Sequence, residues 1–159
     1  MNTFTVTRDI DATPEIVWSV LDDFGNIAAW SPGIKRSALT STGAVGEGTT
    51  RHCDFVPMGG VNERITHHAP NQRMTVHLYE TFRMPVTDAE ADFQLAPTES
   101  GTHLTLNVTY NPNRLGRMAK GVTDKQMRKG MGALADDLAR ESNRLATGAG
   151  AQHIANDAS

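Results

Sequence analysis

Arg51 and Glu63 flank a turn-rich stretch, and they are the residues with the clearest chemical potential in the chain. If the residues around them alternate as strands, Arg51, Cys53 and Phe55 share one side. On the next strand Val61, Glu63 and Ile65 share one side. Only the short turn Pro57-Met58-Gly59-Gly60 separates the two, which sets Arg51 and Glu63 nearly opposite each other. Both sides carry apolar neighbours, so both point toward an interior. An ion pair there gives up several kcal/mol of solvation per ion. Keeping one inside a cavity suits a working role, with Arg51 holding a carbonyl or carboxylate and Glu63 acting as general base. A purely structural cross-strand pair and a pair facing solvent are the open alternatives.

Other reactive side chains carry less. The histidines are His52, His67, His68, His77, His103 and His153. None shows the spacing of a metal pair on a helix, so no metal site is expected. His52 and His103 are expected to face solvent, and so is His77, since Met74, Val76 and Leu78 claim the dry side of their strand. Cys53 has no neighbouring histidine or helix terminus to lower its thiol pKa, so it reads as a packing residue. No serine sits in a Gly-x-Ser-x-Gly turn. The stretch GAVGEG, residues 43–48, lacks the Lys-Ser/Thr ending of a phosphate loop and joins strands instead.

The totals exclude several classes. The chain has 159 residues, enough for one domain with a real core. Its formal net charge is −3 and it has no basic run, which argues against nucleic-acid binding. No apolar run approaches the length of a membrane span. The first residues, MNTFTVTRDI, lack a signal-peptide layout, and a single cysteine allows no internal disulfide. Both features favour a reducing cytoplasm.

The elements that must position Arg51 and Glu63 are mostly strands. Residues 3–10 alternate as a half-buried strand, with Arg8 breaking the apolar side. Thr13, Pro14 and Glu15 open a short helix that Gly25 ends, and 26–30 forms a second. Strands are expected at 34–41, 48–56, 60–68, 73–82, 86–95 and 102–110, joined by short turns and therefore antiparallel. Leu115, Met118, Ala119 and Val122 share one helical side, ending near Gly121. A longer helix then runs from a capping box at Thr123 to Leu145. Met127, Met131, Leu134, Leu138 and Leu145 form its apolar stripe. At 1.5 Å per residue it is about 34 Å long. Its apolar side needs cover, and a sheet wrapped around it supplies that. Residues 1–146 form one domain, and 147–159 are expected to be a flexible tail.

The order and the residues together resemble the START/Bet v 1-like (SRPBCC) superfamily. Ala12-Thr13-Pro14-Glu15-Ile16-Val17-Trp18 resembles its first-helix signature. Asp23-Phe24 and Trp30-Ser31-Pro32-Gly33-Ile34 resemble its second-helix segment. Gly46-Glu47-Gly48-Thr49-Thr50-Arg51 resembles the Gly-rich lead into its third strand, and Glu63-Arg64-Ile65-Thr66 with Arg73 its Glu-Arg strand and following turn. The resemblance spans residues 3–145 and points to the polyketide cyclase/dehydrase-like branch. It implies an α+β helix-grip fold: a seven-stranded antiparallel curved sheet around a long C-terminal helix, with two short helices after the first strand. It further implies an internal cavity for a hydrophobic small molecule, aromatic, polyketide-like or lipid-like, and no cofactor. Some plant relatives place a matching Arg and Glu in that cavity.

On this reading the cavity is lined by Trp30, Arg51, Phe55, Glu63, Ile65, Tyr79, Phe82, Phe93, Tyr110, Met118, Met127 and Met131. Glu63 and Arg51 are the catalytic pair if the protein is a cofactor-free cyclase, dehydratase or isomerase. A protein-interaction module of the same fold is the third reading, and the sequence leaves room for a homodimer.

Overall fold

Alternating burial along Asn2–Ile10 makes the first strand, β1, in the computed structural model, which describes the backbone of residues 1–157 and the side chains of 1–148. Helix α1, Pro14–Asp22, follows. Thr13 caps it, its hydroxyl accepting from the Ile16 N–H at 3.4 Å, and Val17, Trp18, Val20 and Leu21 form the buried side. A 3-10 segment, Phe24–Ala29, comes next, kinked at Asn26. The helix thus stops before Gly25, which lies in the 3-10 segment. A Cβ at Gly25 would stand 2.7 Å from Leu39 Cγ, so close packing on the next strand explains the glycine.

Six strands then run β2 Ile34–Leu39, β3 Thr50–Phe55, β4 Gly60–Ala69, β5 Arg73–Phe82, β6 Val86–Thr98 and β7 Gly101–Pro112. The seven strands form one antiparallel, curved sheet in the order β1-β7-β6-β5-β4-β3-β2. β1 and β2 are opposite edges, so the chain joining them must cross a face of the sheet. That crossing is α1 and the 3-10 segment. Helices α2, Arg114–Met118, and α3, Lys120–Asp157, complete the fold. α3 packs on β1, β7 and α1. The core between these layers includes Ile10, Val17, Leu104, Leu106, Val108 and Leu138, all essentially inaccessible to water. Each such side chain contributes about 1.5–3 kcal/mol.

The long helix differs from expectation at both ends. It begins at Lys120, after a break at Ala119, and the backbone stays helical from Leu145 to Asp157. Thr123 is no cap. It lies inside the first turn of α3, buried, and its hydroxyl donates to the Gly116 carbonyl at 3.1 Å. Asn113 is the residue that caps, its side chain accepting from Gly116 N–H at 2.9 Å. The apolar stripe holds: Leu138 is buried, and Met127, Met131, Leu134 and Leu145 pack on the core.

Because successive strands alternate in direction, the β3–β4 turn, the β5–β6 turn and the β7–α2 joint fall at one end of the sheet. They touch. Asn113 donates to Met84 O at 2.8 Å and to Pro85 O at 3.0 Å, and Gly59 packs beside Met84.

Candidate functional site

The β3–β4 register pairs Arg51 with Glu63. Both face the interior and both are buried, 7% and 8% exposed. The Arg51 Nε–H donates to Glu63 Oε2. Nη1 donates to the Phe24 carbonyl at 2.8 Å, and the guanidinium lies 3.8 Å from the centre of the Phe24 ring. Cys53 Sγ donates to the same Glu63 oxygen at 3.6 Å. The pair therefore ties two strands to the 3-10 segment. Burial, with the Glu63 charge adding to it, pushes the Cys53 thiol up to about 12. A thiol held that far from its thiolate is a packing group.

Beside Arg51 a cavity of about 10 Å³ lies between the sheet and the α1–3-10 layer. It is room for roughly one water molecule, far below a ligand site. Trp30, Arg51 and Phe93 line it, as expected from sequence. So do Val20, Leu21, Asp23, Phe24, Ile27, Met74 and Val76, which were not among the lining residues expected from sequence. The 3-10 segment explains the small volume: Phe24 and Ile27 are buried there and occupy the space a ligand would need. The wall carries one buried donor without a partner, the Trp30 indole N–H, beside the Arg51 guanidinium.

The other expected lining residues divide into two groups. Ile65 is fully buried next to Glu63, Phe55 is half-buried beside Cys53 and Val61, and Met127 and Met131 are half-buried on the core-facing side of α3. Tyr110 is fully buried, edge-on to Phe4 at 6.3 Å, with its hydroxyl donating to Asp124 Oδ1 at 2.9 Å. These five sit in the core, off the cavity wall. Tyr79, Phe82 and Met118 are exposed, and the expectation that they line a cavity is corrected. A bulge explains Phe82, whereas Tyr79 falls on the outer side that alternation from Met74, Val76 and Leu78 already leaves to it. Asn62 pairs with Glu80 but Glu63 pairs with Leu78, so Tyr79 is the extra residue and the sides exchange beyond it. Phe82 consequently packs against His52 on the outer face, and Tyr79 lies under the Arg64 guanidinium. Met118 follows from Gly116: the glycine faces inward against Pro85, which turns the residue two positions on outward.

On that outer face His52 is half-buried in a network. Asn62 Nδ2 donates to Glu80 Oε2 at 2.6 Å, which aims Asn62 Oδ1 at His52 Nδ1, 2.7 Å away. Asp54 Oδ1 faces Nε2 at 2.9 Å. Both ring nitrogens meet acceptors, so the doubly protonated ring fits best. The hydrogen bonds to Asn62 and then Asp54 raise the His52 pKa above its usual 6.5. A raised folded-state pKa means stability that is complete below the unfolded value and lost as pH rises through the folded one. Urea unfolding of wild type and His52→Gln should therefore differ by up to about 1 kcal/mol at acid pH, the difference shrinking above neutrality. A gap that is flat or widens with pH contradicts the network.

A curved sheet gripping a long helix, with a buried arginine that lines a small void and pairs with a buried glutamate, defines a helix-grip protein. The chain belongs to the family described as polyketide cyclase / dehydrase and lipid transport, whose model matches residues 1–142. Solved structures agree in fold. TTHA0849 from Thermus thermophilus has a TM-score of 0.76 at 18% identity, covering 89% of this chain and 97% of that one. The Zhui aromatase/cyclase from Streptomyces sp. R1128 has a TM-score of 0.75 at 16% identity, covering 91% and 93%. A START superfamily protein from Mycobacterium smegmatis has a TM-score of 0.72 at 18% identity, covering 90% and 98%. No curated protein matches the sequence. Among the described residues no helix is long and apolar enough to cross a membrane.

Proposed function

We propose that the protein binds an apolar small molecule carrying one hydrogen-bond acceptor, between the curved sheet and the α1–3-10 layer. The observation that carries this reading is the buried, unpartnered donor Trp30 Nε1 on the wall of a void lined mostly by apolar side chains, with the Arg51 guanidinium beside it. A buried donor without an acceptor costs about 1–3 kcal/mol, which a ligand carbonyl recovers. The family's breadth supports a hydrophobic ligand of aromatic, polyketide-like or lipid-like type. Phe24 and Ile27 must give way for it, so ligand entry moves the 3-10 segment. Phe55, Glu63, Ile65, Met127 and Met131 then flank the enlarged site, the methionines adapting to its shape.

A second reading, a cofactor-free cyclase or dehydratase, rests on Glu63, a carboxylate kept from water beside Arg51, and on the aromatase/cyclase among the structural neighbours. Glu63 accepts from both Arg51 and Cys53 through one oxygen, which favours an anchoring role over proton transfer.

A thermal-shift screen against aromatic, acyl and terpenoid compounds tests the first reading. A ligand at about 100 times its dissociation constant adds about 2.7 kcal/mol, several degrees in midpoint. The shift should shrink in Trp30→Phe, which removes the indole N–H together with part of the ring, and disappear in Arg51→Met/Glu63→Leu. Hits that survive both variants unchanged place the ligand elsewhere. For a hit that is also turned over, Glu63→Gln should stop turnover and spare binding if the second reading holds.

A further inference from the structure

The end of the sheet formed by the β3–β4 turn, the β5–β6 turn and α2 concentrates exposed apolar side chains and cations. Leu115, Met118 and Val122 are 69%, 81% and 59% exposed, and in the β3–β4 turn Val56 and Met58 are 55% and 63% exposed. Leu115, Met118 and Val122 stand three and four positions apart across the α2–α3 joint. Gly116 and Thr123 face inward on either side of the break at Ala119, and Leu115, Met118 and Val122 are left to solvent there as an exposed apolar strip along the joint. Scattered exposed apolar residues need no explanation, but a strip of this size does.

The same segment is basic. Arg114, Arg117, Lys120, Lys125 and Lys129 are exposed, and none forms an ion pair among the described residues. Arg128, the remaining cation, pairs with Asp124. Arg114, Arg117 and Lys120 also line an open trough of about 700 Å³ with Met1, Asn2 and Asn111, and no carboxylate lines it. The whole chain carries −3, so this end opposes the overall sign and orients the molecule in an external field.

We propose that this end docks on an anionic lipid surface. Leu115, Met118 and Val122 enter the acyl boundary, and Arg114, Arg117 and Lys120 take headgroup phosphates in the trough. Apolar insertion beside unpaired cations is the chemistry of an interfacial amphipathic element. Guanidinium forks suit phosphate oxygens. An acidic protein would match the charge, but three large aliphatic side chains standing clear of the surface match an acyl layer better. Docking of this end does not require that the internal site bind anything, and the two tests fail separately.

Co-flotation of the full chain with vesicles provides the test. Phosphatidylcholine vesicles are compared with vesicles holding roughly a third phosphatidylglycerol. Wild type should float with the anionic vesicles alone, and raising salt from about 0.1 M to about 0.5 M should weaken this. Arg114→Gln/Arg117→Gln should lower the partition about 30-fold. Leu115→Ser/Met118→Ser should lower it about tenfold or more. Arg64→Gln, on the outer face of the sheet, should change nothing. All these sites are exposed, so thermal midpoints should match wild type and separate lost docking from lost folding. No flotation with anionic vesicles, equal flotation with neutral ones, or full retention by both double variants overturns the proposal. Binding to soluble poly-glutamate without binding to vesicles also overturns it and assigns the surface to an acidic protein.

Discussion

Arg51→Met alone should lower stability by about 3–5 kcal/mol, and Glu63→Leu alone by a similar amount, while the double variant should lose only about 1–3 kcal/mol. Each single change leaves the partner's charge buried with its main counter-charge gone. Glu63 is 8% exposed and keeps only the weak Cys53 donor, and Arg51 keeps only the Phe24 carbonyl. Removing both charges removes that penalty. The cost that remains in the double variant is at Phe24, whose carbonyl loses the 2.8 Å bond from Nη1 and whose ring loses its contact with the guanidinium. Urea unfolding of the four proteins gives the coupling energy directly, expected at roughly 5 kcal/mol. Losses that simply add would mean the pair is solvated in solution, and the geometry would then say little about a ligand. The singles forfeit a large share of a typical 5–15 kcal/mol, so the measurement belongs at low temperature. The smaller loss in the double variant is also what makes the ligand screen readable, because it changes the site while keeping the fold.

The pair was legible because it depends on local rules alone: period-two alternation, a short turn and two apolar neighbours. The same rules yield the seven strands and the polar outer side of β6, on which Asp92 is buried only because Arg73, Thr75 and Gln94 close over it. They failed at Phe82, while at Tyr79 alternation from Met74, Val76 and Leu78 already gives the outer side that the structure shows. One extra residue in β5 reverses the sides beyond it, and nothing in RMTVHLYETF marks the bulge. Thr123 failed differently. Thr-x-x-Gln is a sound capping pattern, but Asn113 caps the preceding turn and the Thr123 hydroxyl goes to the Gly116 carbonyl. The cavity was legible as a location and illegible as a volume, since about 10 Å³ reflects how Phe24 and Ile27 pack against the sheet. The basic end escaped notice because its cations are spaced three to five apart rather than run together. They become a patch only when α2 and α3 set them on one end of the molecule.

That end depends on one glycine, and Gly116→Ala should cost about 2–4 kcal/mol. A Cβ on Gly116 would fall 2.0 Å from the Pro85 carbonyl oxygen, 3.1 Å from its carbon and 3.2 Å from Pro112 Cβ. Two of these three are backbone atoms, so relief requires α2 to move off the β5–β6 turn. Moving it strains the Asn113 bonds to Met84 O and Pro85 O and the Thr123 bond to Gly116 O, which together hold the joint. Amide exchange should report the damage locally, with protection lost first across 113–123. Gly121→Ala supplies the contrast five residues on. Its Cβ would meet nothing within 4 Å and its backbone is helical, so the change should stabilise α3 by about 0.4–1 kcal/mol. An unchanged midpoint in Gly116→Ala would mean that α2 is not seated on Pro85 in solution. The outward aim of Leu115 and Met118 would then lose its structural cause, because it is the inward seating of Gly116 that turns both side chains toward solvent.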